Sequence, residues 1–144
     1  MIWDDVNAPG VYLFDMETPV RTLTIRQPWA SLILHGVKRF ETRSWETPYR
    51  GPFEVHAGNR RDPLVAHPEL PSWVGGELPR GCVLGTVDLV GVHRCADIRD
   101  AVSDVERLVG DWDTENGYAW ELHNPVRFNV PVPAKGKLGW WQRR

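Results

Sequence analysis

The sequence predicts an α+β fold built on a small or open β-barrel, and two patterns support that prediction. Several short segments are rich in β-branched residues or alternate apolar with polar residues, and glycine or proline separates them. Two other segments place apolar residues three and four positions apart, which is the spacing of an amphipathic helix. Many short strands with few helices are typical of small barrels. With 144 residues, 42% of them hydrophobic, the chain is sized for one domain with one core.

The chain divides into an N-terminal extension and a domain. Residues 1–20 contain two prolines and a glycine without a clear period, so we expect an extended arm or an added strand there. The domain covers residues 21–144 and begins with a strand around residues 23–26, where apolar and polar residues alternate. Pro28 opens a helix at a first-turn position, where its missing N–H costs nothing, and Gly36 is placed to cap that helix. The expected buried face of the helix consists of Trp29, Leu32, Ile33 and Val37.

The middle of the chain predicts two strands and a long connection. Residues 39–45 alternate with a period of two, and residues 51–58 form a second strand bounded by glycines. Residues 59–80 are rich in proline, glycine and charge, so we expect a connection with a short helical turn. Connections of that length in a compact domain are often functional.

The second half of the chain completes the predicted sheet. Residues 81–93 are the longest β-rich run, and its internal glycines indicate bends. Residues 97–109 have the spacing of an amphipathic helix with an acidic outer face. Residues 118–122 and 126–132 are the expected closing strands, and proline in the second places it at an edge.

Positive charge is concentrated in two separate segments. The formal net charge is −2, but residues 36–61 carry +3 and residues 122–144 carry +5, whereas residues 62–121 carry −8. If the two basic segments meet in the fold, they form one positive face suited to a phosphate-bearing ligand. The alternative is two unrelated, solvated stretches. Coating of a long duplex by charge alone is not expected, because such binding requires a strongly basic domain.

Composition argues against a membrane protein, a disulfide framework and a metal protein. No apolar stretch approaches the roughly 20 residues that cross a bilayer, and the N-terminus is acidic where a secretory signal is basic. We therefore expect a soluble, cytoplasmic protein. Cys82 and Cys95 are the only cysteines, and they form no Cys-x-x-Cys pair. A metal site with His93 is an alternative, but two buried thiols explain the cysteines, so we expect no metal and no cofactor.

One short run of charged residues is the strongest candidate for a site. Residues 36–43 follow the helix end and contain Lys38, Glu41 and Arg43, the last two on one face of the next strand. The three side chains can converge on a cleft at the helix–strand junction. A cation, an acceptor and a planar guanidinium together suit a nucleotide. The alternative is a structural ion pair that fixes the junction, worth about 0–1 kcal/mol if exposed.

The run Gly36-x-Lys38-x-x-Glu41-x-Arg43, with the preceding residues 26–30, resembles the signature of the ASCH domain family. This family is related to the pseudouridine-synthase-and-archaeosine-transglycosylase (PUA) barrel. The later strands occur in the family's order, so the resemblance covers about residues 21–142. It implies a small mixed, PUA-like β-barrel of five to six strands with two or three flanking helices. It also implies a cleft beside the helix that receives RNA or a nucleoside-like ligand.

The resemblance also raises the question of catalysis. Some family members are amidohydrolases acting on N4-acylated cytidine, and others are associated with RNA cleavage. In those hydrolases a threonine lies three positions after the lysine that matches Lys38, whereas this sequence has Glu41 there. Adjacent opposite charges also keep Lys38 protonated and Glu41 ionised, which favours binding over catalysis. If the protein is an enzyme, the candidate catalytic residues are Lys38 and Glu41, with Glu41 as the base.

Residues around the charged run complete the candidate site. Trp45 shares the face of Glu41 and Arg43, which makes it the preferred aromatic for stacking a base. His56 could line the cleft, with Asn59 just beyond it, or it could be a hydrogen-bonded framework histidine. The full set of candidate ligand-binding residues is Arg26, Gln27, Lys38, Glu41, Arg43, Trp45, His56 and Asn59.

Three functions are compatible with these residues. The first is binding of RNA, single-stranded nucleic acid or a modified nucleoside, with an unpaired or modified base in the cleft. The second is a small hydrolase acting on N4-acylated cytidine nucleosides, or a ribonuclease acting on RNA. The third is a protein–protein interaction module that uses Trp140 and Trp141. These neighbours cannot both point inward from an extended segment, so one is either covered by another element or exposed for a partner.

Overall fold

The computed structural model describes residues 20–64 and 66–143, which form an α+β domain with a six-stranded mixed sheet and three short helices. The extension predicted over residues 1–20 lies, apart from its last residue, outside the described part. In chain order the elements are β1 (Arg21–Gln27), α1 (Trp29–Leu34), β2 (Phe40–Arg43), β3 (Gly51–Arg61), a 3₁₀ turn (Ser72–Gly75), β4 (Cys82–Arg94), α2 (Cys95–Ile98), α3 (Asp104–Leu108), β5 (Tyr118–Pro133) and β6 (Trp140–Gln142).

The sheet has the strand order β2–β5–β4–β3–β1–β6, so the predicted α+β class with a mixed sheet is confirmed. Strands β1 and β3 are parallel, and the other neighbours are antiparallel. Among the described residues no strand pairing closes the sheet, and β2 and β6 are its edges. Because β6 pairs only with Arg21–Leu23, the rest of β1 faces β2 across a gap. Arg43 crosses that gap, donating from Nη2 to the Thr24 carbonyl at 2.8 Å.

Helix α1 is buried on more sides than its apolar spacing predicts. All its residues from 30 to 34 are buried, because the helix packs against β1, β3, β4 and β5. Trp29 and Val37, expected on the buried face, are only partly buried. Pro28 occupies the N-cap rather than the first turn, and either position leaves no helical hydrogen bond unmade. Gly36 follows the C-cap with a φ of 77°, so its predicted capping role is confirmed.

The two glycines inside β4, where the sequence predicts bends, each lie at an irregularity of the ladder with β5. The register between β4 and β5 shifts next to Gly85 and next to Gly91. At Gly85 the neighbouring strand is so close that an added Cβ would lie 2.1 Å from the Val126 carbonyl oxygen. Any side chain at Gly85 would therefore force the two strands apart.

The single helix predicted over residues 97–109 is wrong. Two short helices, α2 and α3, occupy this stretch, because Ser103 stands between them as an N-cap. Its hydroxyl accepts a hydrogen bond from the Glu106 N–H at 3.1 Å. The Ser-x-x-Glu spacing is the signature of a capping box, a sequence signal that the continuous apolar spacing obscured.

The two closing strands predicted over residues 118–122 and 126–132 are one strand, β5. The strand continues through the intervening residues, although the ladder with β4 is irregular between His123 and Val126, where Asn124 has a φ of 56°. Strand β2 pairs only with Tyr118–Glu121. In the described part of the chain the second half of β5 therefore pairs on one side only, which agrees with the predicted edge.

Trp140 and Trp141 are both covered by other parts of the domain. Trp140 packs against Phe53 and Trp120, with ring centroids 5.3 and 5.5 Å apart. Trp141 is 8% exposed and donates from Nε1 to the Thr24 hydroxyl at 3.0 Å. Of the two alternatives open from the sequence, cover by other elements is the one that the structure shows, with Trp140 partly buried and Trp141 buried.

No helix in the described residues is long and apolar enough to cross a membrane. The same residues contain no group of three or more His, Cys, Asp or Glu side chains arranged to hold a metal ion. Cys82 and Cys95 are buried free thiols, and burial raises the pKa of both. Both cysteines therefore behave as packing residues.

Candidate functional site

A cleft of about 640 Å³ occupies the gap between β1 and β2. Thr24, Ile25 and Arg26 of β1 form one wall, and β2 with its flanking residues forms the opposite wall. Trp29 of α1 and the turn after α3 close two further sides. The cleft lies at the unpaired edges of the sheet, because that is where the strands fail to close.

Lys38 lies in the cleft wall with its charge almost fully desolvated. Its side chain is held by the Val109 carbonyl, which accepts from Nζ at 2.6 Å, and the residue is only 3% exposed. The nearer oxygen of Glu41 is 4.0 Å from Nζ. Burial lowers the pKa of the ammonium, whereas Glu41 and Glu106 raise it by less. Burial therefore opposes the effect of the neighbouring carboxylates, which the charge pattern of the sequence did not reveal.

Glu41 and Arg43 form an ion pair along the same wall. Arg43 donates from Nε to Glu41 Oε2 at 3.0 Å and from Nη2 to the Thr24 carbonyl at 2.8 Å. The structural ion pair considered from the sequence therefore exists. It does not fill the cleft, however, since both residues line it and the Arg43 side chain is 21% exposed. The guanidinium is fixed in orientation and keeps N–H groups for a ligand.

Glu106 on α3 positions the turn that carries Lys38. Its two carboxylate oxygens accept from the backbone N–H groups of Arg39 at 2.8 Å and Phe40 at 3.2 Å. Burial raises the pKa of this carboxyl group, and the hydrogen bond from Arg39 is the largest opposing effect. The Trp112 indole donates to the Glu106 carbonyl at 2.8 Å. Helix α3 is thereby fixed against the start of β2, and its C-terminal turn forms the cleft wall.

Two tryptophans supply aromatic surface to the cleft. Trp45 lines it, as predicted from its face, and packs edge-on against Trp120 with ring centroids 4.8 Å apart. Trp29 also lines it, although its position on the helix predicted a framework role. The Trp29 indole donates to Asp62 Oδ2 at 2.8 Å, which fixes the ring. Asp62 in turn pairs with Arg26 at 3.3 Å.

Three of the eight candidate residues lie outside the cleft. Gln27 is fully buried and donates to Ser31 Oγ and the Pro79 carbonyl at 2.8 and 2.7 Å. His56 is a framework histidine, because its two ring nitrogens lie 3.1 Å from Thr24 Oγ1 and 2.7 Å from the Ala134 carbonyl. Asn59 is exposed at the end of β3. The five candidates that do line the cleft are Arg26, Lys38, Glu41, Arg43 and Trp45.

Sequence reasoning missed Asp62 and the turn over residues 109–111. The pairing of β1 with β3 brings Asp62 to the cleft, and its N–H donates to the Gln27 carbonyl at 2.7 Å. The turn over residues 109–111 follows helix α3, which begins at the N-cap Ser103. The capping-box spacing of Ser103 and Glu106 was the sequence signal for that helix start. For Asp62 the sequence held no periodic signal.

Comparison with known proteins gives a family match over most of the chain. The model of the ASCH domain family matches residues 23–132. Activating signal cointegrator 1 of Mus musculus is 29% identical over 130 residues, which cover 83% of this chain and 22% of that protein. The Homo sapiens protein of the same name is 28% identical with the same coverage. The chain thus spans about a fifth of the length of these curated relatives.

Solved structures show the same fold at low sequence identity. The ASCH protein from Zymomonas mobilis has a TM-score of 0.53 and 14% identity, covering 80% of this chain and 73% of that one. A point mutant of it has a TM-score of 0.52, also at 14% identity, covering 81% and 76%. Together with the family match over residues 23–132, this likeness in fold leads to one conclusion: the chain belongs to the ASCH domain family.

Proposed function

We propose that this ASCH domain binds single-stranded RNA or a nucleotide by holding an unpaired or modified base in the cleft between β1 and β2. The observation that carries the proposal is the wall formed by Lys38, Glu41 and Arg43. It combines a desolvated ammonium, a carboxylate and a guanidinium already fixed in position, all beside an open space of about 640 Å³. Fixed donors in a partly dry site bind a polar ligand without first being ordered.

The chemistry of the cleft suits the edge of a base. Cytosine presents an exocyclic amine, which a carboxylate accepts, next to ring acceptors, which Arg43 and Lys38 can serve. Trp29 and Trp45 supply faces on which a base can stack. A cytoplasmic setting belongs to the same proposal and is supported by the two free thiols, Cys82 and Cys95.

Replacing Arg43 tests the site directly. We expect Arg43→Ala to weaken binding of a short oligocytidylate about 10- to 100-fold, because a charge-assisted hydrogen bond contributes about 1.5–3 kcal/mol. Arg43→Lys keeps the charge without the planar fork and should recover only part of the loss. Fluorescence anisotropy at one fixed salt concentration measures both affinities.

Arg107→Ala is the matched control for that experiment. Arg107 is exposed on α3, does not line the cleft, and its replacement removes the same charge. Circular dichroism establishes that each variant is folded. A folded Arg43→Ala protein that binds as tightly as Arg107→Ala would show that the cleft assignment is wrong.

A second candidate function, hydrolysis of an N4-acylated cytidine nucleoside or of RNA, is favoured by one observation. The pKa of Lys38 is lowered by burial within the cleft, and a lysine with a lowered pKa can take up a proton during a reaction. Incubation with N4-acetylcytidine and with RNA, followed by mass spectrometry, tests it. If hydrolysis occurs, Lys38→Met should abolish it while Arg107→Ala leaves it unchanged. No turnover of either substrate by the wild-type protein would exclude both reactions.

A further inference from the structure

The two basic segments of the sequence meet at one end of the sheet. This end holds the last part of β3, the first residue of β4 and the last residue of β5. Cys82 of β4 pairs there with Ala57 of β3 on one side and with Pro133 of β5 on the other. The loops continue the contact, because the Gly81 N–H donates to the Ala57 carbonyl at 2.8 Å and the Ala134 N–H donates to the Gly81 carbonyl at 3.1 Å. The charges flanking these positions therefore lie on neighbouring strands and loops.

Four of the exposed cations at this end form what we name the cationic rim: Arg60, Arg80, Lys135 and Lys137. Arg61 is exposed as well, but its guanidinium donates to the Gly76 and Val74 carbonyls. None of the four makes an ion pair within residues 20–64 and 66–143. Arg80 donates to the Asn59 carbonyl at 3.3 Å, which joins the β3 and β4 parts of the rim. Glu77 is exposed in the loop before Arg80, so the rim keeps an excess of positive charge.

The cationic rim adjoins the cleft at two points. Gly136, between the two lysines, packs against Thr24, since an added Cβ would lie 2.9 Å from Thr24 Oγ1. Thr24 is one of the residues that line the cleft. On the other side Arg61, next to Arg60, is paired in the ladder with Gln27, the residue after Arg26 of the cleft wall. A chain leaving the cleft over β1 would reach the rim directly.

The opposite side of the cleft carries the reverse charge. The turn after α3 continues into a loop in which Asp111, Asp113 and Glu115 are all exposed. Asp111 lines the cleft itself. Phosphate groups are repelled on this side and attracted on the other. The two sides therefore give a bound nucleic acid one favourable direction of exit.

We propose that the cationic rim carries the sugar–phosphate backbone of a single strand whose base occupies the cleft. This inference rests on the proposed function and deepens it: the ligand is a strand of several nucleotides, in preference to a free nucleoside or mononucleotide. A positively charged track beside a base-stacking site is how proteins hold single strands. The backbone contacts add affinity that depends on salt and on strand length.

Strand length and salt provide the test. The probes are cytidine monophosphate and oligocytidylates of three and six nucleotides, as RNA and as DNA, measured against the wild-type protein and two double variants. We expect the hexamer to bind at least about tenfold more tightly than the monophosphate. Lys135→Ala with Lys137→Ala should lower the slope of log affinity against log salt by about 1.4, at about 0.7 per phosphate contact, without changing the affinity for the monophosphate.

Arg94→Ala with Arg107→Ala removes two exposed cations away from the rim and is the matched control. A slope that falls equally in both double variants, or a monophosphate that binds as tightly as both the RNA and the DNA hexamer, would overturn the rim while leaving the cleft assignment intact. Failure of every probe to bind the folded wild-type protein would overturn the cleft assignment and the rim together. A length effect with RNA or with DNA supports the rim, and the stronger arm identifies the preferred sugar.

Discussion

Gly85→Ala is expected to lower the free energy of unfolding by about 3 kcal/mol, at the upper end of the usual cost of overpacking. The added Cβ would lie 2.1 Å from the Val126 carbonyl oxygen, 2.6 Å from Leu34 Cδ1 and 2.9 Å from Arg127 Cα. Two of these neighbours are backbone atoms of β5, which cannot rotate away. Relief requires β4 and β5 to separate and α1 to shift. Urea denaturation monitored by tryptophan fluorescence measures the loss.

Gly75→Ala provides the matched control for the glycine experiment. An added Cβ at Gly75 meets no atom within 4 Å, so we expect a change of at most about 0.5 kcal/mol. Because both variants replace glycine with alanine, their comparison distinguishes two contributions to the change in stability. One is the steric cost at Gly85, and the other is the entropy difference between glycine and alanine in the unfolded chain. Equal stability of the two variants would show that β5 does not approach Gly85 as closely as described.

Glu106→Ala is expected to be the most damaging single change to the cleft that leaves its lining residues in place. The carboxylate accepts from two backbone N–H groups, those of Arg39 and Phe40. Leaving a buried donor without a partner costs about 1–3 kcal/mol. These two N–H groups are part-buried, so we expect a loss of about 2–4 kcal/mol in unfolding free energy, in the lower part of the range for two donors. The turn that carries Lys38 loses its attachment to α3, so ligand affinity should fall as well.

Asp104→Ala is the control for Glu106. Asp104 lies on the same helix but is exposed, and its ion pair with Arg107 is on the surface. We expect its replacement to change stability by no more than about 0.5 kcal/mol and to leave binding unchanged. Thermal unfolding and fluorescence anisotropy on the two variants measure both effects. If Glu106→Ala unfolds at the wild-type temperature, the two N–H groups do not depend on it.

The position of the cleft could be predicted from the sequence because its strongest signals are local. A glycine cap and a strand period of two act over a few residues, and they suffice to place Glu41 and Arg43 on one wall. Lys38 joins them because the turn after Gly36 is short. The charge count also indicated two basic segments that could meet, and the strand pairings bring them to one end of the sheet.

The remaining cleft residues depend on contacts that no local pattern encodes. Asp62 is 33 residues from the Trp29 indole that it holds. Gln27 lies beside the helix start that resembles the family signature, but it is buried in the core. Buried polar groups need hydrogen-bond partners, and its side-chain amide donates to Ser31 and to the Pro79 carbonyl instead of to a ligand. The pKa of Lys38 depends on how deeply the fold buries it, which charge spacing does not reveal.

The gap between β1 and β2 has a consequence for how members of this fold could diverge. Side chains, not a strand ladder, bridge this gap. Arg43 donates to the Thr24 carbonyl, and Trp45 contacts Trp140 of β6 with ring centroids 6.3 Å apart. Shorter or longer side chains at these positions would change the width of the gap, while the pairing of β5, β4, β3 and β1 stays intact. Ligand size could then be altered separately from folding stability.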